Sequence, residues 1–230
     1  MGCAIVIAGA SGSGKTSVAK GLIKRAPELY SLSRSATSRP MRDDDKGKNE
    51  YLFCSKEQFL SMIAEGDMIE STEYGGNYYG TPSSEFERII SEGKNAVLVL
   101  DMNGVQSFKS ASLPFPVYTF YVYEHINEIE RRLYERDLKV GGSLDALLSF
   151  CKRKEANIRD YLKAAEYSVY IDAYILNSDL DACIDSLEYC LRLFEGDSGE
   201  GNRPSGIALA PEEKRALVKE LSRQAEAKLQ

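Results

Sequence analysis

Near the N-terminus, Gly9-Ala10-Ser11-Gly12-Ser13-Gly14-Lys15-Thr16 carries the spacing G-x-x-x-x-G-K-[ST]. Glycines at those positions let successive backbone N–H groups converge on one anion, and a helix opening directly behind them adds a favourable partial positive charge. A lysine placed there reaches the β- and γ-phosphates of a nucleoside triphosphate, and the hydroxyl beside it ligates Mg²⁺. The flanks agree with this reading. Cys3 to Ala8 is a continuous apolar run that predicts a strand buried on both faces, and Val18, Leu22 and Ile23 recur at helical spacing between Thr16 and about Arg25. The loop therefore predicts an ATP site made of residues 9 to 16, with Mg²⁺ at Thr16. By itself it leaves the destination of the γ-phosphoryl group open.

Other residues could supply that destination. Arg39 and Arg42 stand three apart in a loop that follows a short strand at Leu32. Guanidinium groups grip phosphate bidentately and stay charged, so the pair either holds the phosphate of an acceptor or is solvated against the acidic run Asp43 to Asp45. Asp101 closes the apolar run Ala96 to Leu100, which predicts a second buried strand. The carboxyl ends of such strands are where open α/β sheets bind ligands. Arg132 and Arg136 are spaced i, i+4 on a helical pattern, which suits either a solvated helix face or a phosphate clamp. The single histidine, His125, falls between a strand and a helix and is given no catalytic part.

The elements that must position these residues can be read from periodicity and punctuation. Ser55 with Gln58 forms a capping box for a helix reaching about Glu65, and Gly66 ends it. Met68 to Tyr74 reads as extended, Gly75-Gly76-Asn77 as a turn, and Pro82 to Glu92 as a helix. Val117 to Val122 is a third apolar strand. Helical patterns follow at Ile126 to Asp137, Leu144 to Leu162 and Leu180 to Leu193, with extended chain near Val169 to Leu176. Leu32 to Tyr51 is polar and irregular. Strands alternating with helices predict an α/β fold with a mostly parallel central sheet flanked by helices. Residues 1–195 form the expected domain, 196–210 a Gly/Ser/Asn/Pro linker, and 211–230 an amphipathic helix with Leu217, Leu221, Ala225 and Leu229 on one stripe.

Composition narrows the function classes. A formal net charge of -6 over 230 residues argues against nucleic acid as the main partner, because duplex binding draws on a basic surface. Five scattered cysteines without a Cys-x-x-Cys pair read as reduced thiols of a cytoplasmic protein rather than a metal site. No apolar run is long enough to cross a membrane, and the chain starts without a signal-peptide pattern. A monomer or a homodimer is expected.

Several stretches together resemble guanylate kinases. Ser35-Ala36-Thr37-Ser38-Arg39-Pro40-Met41-Arg42 followed by Tyr51 is similar to the family's Ser-x-Thr-Thr-Arg-x-x-Arg stretch and its tyrosine. Ile69-Glu70, Gly76-Asn77-Tyr78-Tyr79-Gly80-Thr81, Leu100-Asp101-Met102-Asn103-Gly104-Val105, Arg131-Arg132-Leu133-Tyr134-Glu135-Arg136 and Lys152-Arg153 resemble further family elements. The resemblance covers about Ala4 to Leu193. It implies a P-loop kinase fold with a small GMP-binding insert at about 34–95 and a helical lid at about 132–160. It implies transfer of phosphate from ATP to GMP, and also to dGMP. Arg39, Arg42, Tyr51 and Tyr79 would then contact the GMP phosphate, and Ser35, Glu70, Thr81 and Asp101 the guanine. Asp101 would also lie near the metal, through water, while Lys15, Arg39, Arg132, Arg136 and Arg153 would stabilise the transferring group. The chain departs from the family at Val99, where a second acidic residue often stands, at Asp137, and in a longer lid over Leu138 to Leu148. Other users of the same fold would be a sugar-phosphate kinase of the ribose 1,5-bisphosphate type or a non-catalytic protein-binding module. The module typically lacks the loop lysine and glycines present here.

Overall fold

The computed structural model describes residues 2–41, 45–47, 49–74, 76–138, 143–197 and 203–229. Arg42, residues 139–142 of the expected lid and residues 198–202 of the expected linker lie outside them.

The fold grows from β1 (Ala4–Ala8), every residue of which is buried. Alternate side chains of a strand point to opposite faces, and here both faces are covered. Ala4, Val6 and Ala8 join one core cluster, while Cys3, Ile5 and Ile7 join another. Parallel partners flank β1 on both sides, β7 (Asn95–Val99) and β8 (Val117–Tyr123). With β2 (Tyr30–Leu32), β9 (Ala173–Leu176) and β10 (Ile207–Ala208) they complete a six-stranded sheet ordered β10-β9-β8-β1-β7-β2, parallel except at β10. On one face, α1 (Lys15–Arg25) and α7 (Leu180–Phe194) bury Val18, Leu22, Ile184 and Leu187. On the other lie α3 (Ser83–Ser91), α4 (Met102–Ser110), α5 (Ile126–Asp137), α6 (Leu144–Glu166) and α8 (Pro211–Glu226).

A second, four-stranded sheet is inserted between β2 and β7. Its order is β4-β3-β6-β5, from β3 (Ser35–Thr37), β4 (Tyr51–Phe53), β5 (Met68–Tyr74) and β6 (Asn77–Pro82). The capping box at Ser55 forms as its residues predict, opening α2 (Lys56–Ala64), and Phe59 of α2 stacks on Tyr78 at 5.5 Å. The junction of the two sheets is fixed by charge. Glu85 on α3 is buried and receives Arg34 and Arg88. Burial opposes its ionisation, yet the two guanidinium groups hold its carboxyl down to about 2.

The structure differs from the sequence reading where elements are short or polar. β3 and β4 fall in or next to the stretch read as irregular, because three-residue strands carry too few side chains to show alternation. α4 follows directly behind Asp101, which caps it through a bond from Gly104 N–H at 2.8 Å. The expected extended segment begins instead with a 3₁₀ turn at Ser168–Tyr170, and strand β9 starts at Ala173. α6 runs on to Glu166. Ile207–Ala208, inside the stretch expected as linker, pairs antiparallel with β9. Cys3, Cys183 and Cys190 are buried free thiols, each pushed up to about 12 by desolvation. None of the described helices is long and apolar enough to cross a membrane.

The C-terminal helix is packed on α6 and α5 rather than trailing free. Leu221 and Ala225 are buried, Gln224 Oε1 accepts from Ile126 N–H at 3.1 Å, and Lys228 pairs with Glu130 at 2.8 Å. Leu221→Ala removes three heavy atoms from a closed core and is expected to lower unfolding free energy by about 2 to 4 kcal/mol in urea titration. A loss below about 0.5 kcal/mol would mean that α8 contributes no core packing.

Candidate functional site

The phosphate loop leaves β1 through backbone conformations that exclude larger residues. At Gly9, φ is +147° and an added Cβ would lie 2.2 Å from Val122 O; at Gly14, φ is +92° and the Cβ would lie 2.2 Å from Asn177 Nδ2. Gly14 caps α1 without any side-chain bond to the first-turn amides. Those N–H groups are the donors a phosphate would use. Lys15 Nζ lies across the loop, donating to the carbonyls of Gly9 at 2.6 Å and Ala10 at 2.9 Å. Burial lowers the pKa of its ammonium group, against the pull of Asp160 and Asp101.

Two asparagines hold the loop from outside. Asn177, at the end of β9, donates to Ser13 O at 2.7 Å. Asn157 of α6 pairs with both backbone groups of Ser11. The N–H of Ser11, expected among the phosphate donors, is thereby directed at α6. Ala10 and Ser13, expected with the rest of the loop in the ATP site, are fully buried and do not line the cleft described below.

The inserted sheet brings a different chemistry to the same opening. Arg39 is only 8% exposed, forms a two-pronged pair with Asp45 at 2.9 and 3.1 Å, and lies against the rings of Tyr51 and Phe53 at 5.4 and 5.5 Å. A phosphate at Arg39 would have to share or replace that carboxylate. Arg42 lies outside the described residues. Glu70 on β5 is 6% exposed; its Oε1 accepts from Thr81 Oγ1 at 2.8 Å, and its Oε2 is buried with no hydrogen-bond partner among the described residues. Burial raises its carboxyl pKa to about 7, with Asp101 adding to the rise and the Thr81 hydroxyl opposing it. Thr81 itself is buried, and its hydroxyl is committed to Glu70, so its side chain positions that carboxylate. Asp101 stands across Gly104 from Glu70: a Cβ on Gly104 would lie 3.5 Å from Glu70 Oε2 and 3.6 Å from Asp101 Oδ1.

The third wall comes from α5 and α6. Arg132 is tied to Glu124 at 3.1 Å, to Glu128 at 3.2 Å and to the carbonyl of Asn177 at 2.9 Å. Arg153 Nε donates to Ser149 Oγ at 3.3 Å. One cleft of about 990 Å³ is lined by Lys15 and Thr16 on the loop side and by Ser35, Arg39, Tyr51, Glu70, Tyr79 and Asp101 on the insert side. Arg132, Arg136 and Arg153 line its third side, and Val99 offers it no ligand.

Sequence reasoning missed Asp160, which lines this cleft from α6 and whose pKa burial raises to about 6 despite Lys15. The signal was available in its spacing, since Arg153, Ala156 and Asp160 fall at i, i+3 and i+7 on one helix face.

Comparison with known proteins agrees with this geometry. The family model described as guanylate kinase matches residues 1–193. A guanylate kinase from Nostoc sp. (strain PCC 7120 / SAG 25.82 / UTEX 2576) is 32% identical over 187 residues, covering 81% of this chain and 88% of its own length. One from Thermosynechococcus vestitus is 34% identical over 184 residues, covering 80% and 90%. The crystal structure of guanylate kinase from Anaplasma phagocytophilum superposes with a TM-score of 0.63 at 22% identity, over 89% of this chain and 90% of that one, and so supports the fold. On the extent of the family match and the identity to these relatives, the chain belongs to the guanylate kinase family.

Proposed function

We propose that this protein transfers the γ-phosphoryl group of ATP to GMP, giving ADP and GDP, with dGMP as a second acceptor. The observation that carries the reading is the buried Oε2 of Glu70, which has no hydrogen-bond partner among the described residues and lies in the same cleft as Lys15. Guanine presents N1–H and an exocyclic amine as donors, whereas adenine has an acceptor at N1 and no amine at C2. Glu70 and Asp101, facing each other across Gly104, are acceptors that guanine can satisfy and adenine cannot.

Arg39 and the Tyr51 and Tyr79 hydroxyls would hold the GMP phosphate, and the loop amides with Lys15 would hold the ATP phosphates. A GMP phosphate oxygen then attacks the γ-phosphorus in line while its bond to the β-phosphate oxygen breaks. No side chain need act as nucleophile. Charge spreading onto the γ-oxygens in the transition state is met by Lys15, Arg132, Arg136 and Arg153. Thr16 and Asp101 are hard oxygen donors suited to Mg²⁺, which keeps several waters and takes few protein ligands besides phosphate. Thr16 would bind it directly and Asp101 through water. When bound, Mg²⁺ would neutralise charge on the β- and γ-phosphates.

Incubation of the purified protein with ATP, Mg²⁺ and each nucleoside monophosphate in turn tests this directly. GDP should form, with AMP used roughly 10⁴-fold less efficiently, since a site built to bond a substrate group rejects an analogue lacking it. Equal use of AMP would sink the base-reading role of the carboxylates.

Glu70 also predicts a pH dependence. Only its ionised form accepts two guanine donors, so the KM for GMP should rise by about tenfold from pH 8 to pH 6, while the KM for ATP stays nearly flat. The sign for stability is the opposite. A carboxyl raised to about 7 by burial contributes folding stability that is complete below the ordinary glutamate value and is lost as pH climbs through about 7. Glu70→Gln should raise the KM for GMP at pH 8 and flatten its pH profile. A variant that keeps the wild-type slope would place the titration elsewhere, for example on the GMP phosphate itself.

A further inference from the structure

We propose that Asn157 is a positioning residue that locks the lid helix α6 to the phosphate loop, so that the placement of ATP and the placement of Arg153 are set by one shared contact at Ser11. The inference rests on the ATP-binding reading above and adds a residue to it.

Asn157 is 1% exposed. Its amide oxygen accepts from Ser11 N–H at 2.8 Å and its amide nitrogen donates to Ser11 C=O at 2.8 Å, across 146 residues of chain. Both polar groups of one loop residue are thus bonded by both polar groups of one side chain. A ring of two such bonds fixes distance and orientation together, which a single bond does not. Moving α6 relative to the loop breaks a buried donor and a buried acceptor at once.

The position of this contact along α6 matters. On its C-terminal side the helix is anchored to the core, since Tyr161 donates to the carbonyl of Glu124 and the carbonyl of Ala164 accepts from Tyr174 at 2.8 Å. On its N-terminal side Leu144, Leu147 and Leu148 are exposed, being 71, 46 and 49% accessible. Asn157, next to buried Ala156, lies between these two stretches, and Arg153 stands one helical turn before it. The tether therefore acts as the fulcrum of the helix. It holds Arg153 in register with the loop whatever the outer turns do. Ser11 is spent as an anchor and the Ser13 N–H is bonded to the carbonyl of Ala10 at 3.1 Å, leaving the amides of Gly12, Gly14, Lys15 and Thr16 to face phosphate.

Steady-state kinetics of wild type, Asn157→Ala and Asn157→Asp, with hydrogen exchange at the Ser11 amide followed by NMR, test this. Asn157→Ala should lower kcat/KM for ATP by about tenfold or more, leave the KM for GMP within about twofold, and speed Ser11 exchange by about tenfold. Asn157→Asp has the same shape; it keeps the acceptor for Ser11 N–H but sets a carboxylate oxygen against Ser11 C=O. It should therefore lose ATP efficiency while retaining part of the Ser11 protection, and it supplies the same readout should the alanine variant fold poorly. Wild-type kcat/KM for ATP in either folded variant, or KM values for ATP and GMP that rise in parallel, would overturn the proposal. Failure of the wild-type protein to make GDP would count against the activity instead, and the Ser11 exchange rates would still report on the tether.

Discussion

Two polyanions must be brought end to end, and every other feature of the site answers that repulsion. Unit charges about 4 Å apart repel by roughly 4 kcal/mol at the effective dielectric of a protein surface, and each nucleotide brings more than one. The chain as a whole cannot help, because its net charge is -6. Positive potential has to be made locally, from three sources that the fold brings to one cleft. These are the amides and Lys15 behind β1, Arg39 on the inserted sheet, and the arginines of α5 and α6.

Each source is held by its own negative or carbonyl partner. Lys15 rests on two loop carbonyls, Arg39 on Asp45, and Arg132 on Glu124 and a backbone carbonyl. These contacts hold the cations at the rim of the cleft, and phosphates entering it take the place of, or share with, the carboxylate on Arg39 and the carbonyls on Lys15. Glu70 and Asp160 work in the other direction. Both carboxyls are raised by burial, to about 7 and about 6, Glu70 with Asp101 nearby and Asp160 beside Lys15. A partly neutral Asp160 beside Lys15 limits the negative charge that the incoming phosphates meet.

Much of this could be read before any coordinates. The loop from Gly9 to Thr16 announces itself because its glycines answer a local backbone demand, here positive φ at Gly9, Gly12 and Gly14. β1, β7 and β8 were legible because strands buried on both faces are continuously apolar. Arg39, Glu70 and Asp101 were legible through motif resemblance, which supplies tertiary proximity that spacing alone lacks. What stayed hidden depends on long-range partners. An asparagine in mid-helix has many fates, and only the fold shows that Asn157 meets Ser11. Likewise Thr81 was expected to touch the base, but its hydroxyl turns to Glu70. β10 escaped notice because a two-residue strand has no period, and the packing of α8 onto α6 was one of several homes for an apolar stripe.

The central claim is that one continuous cleft holds ATP and GMP phosphate to phosphate. Calorimetric titration with a single molecule joining adenosine to guanosine through five phosphates measures this most directly. One equivalent should bind, displace both ATP and GMP, and bind at least about 10²-fold more tightly than either alone, because the second nucleoside then docks at high effective concentration. Affinity no better than that of ATP, with GMP still able to bind alongside, would show that the two sites do not share a cleft.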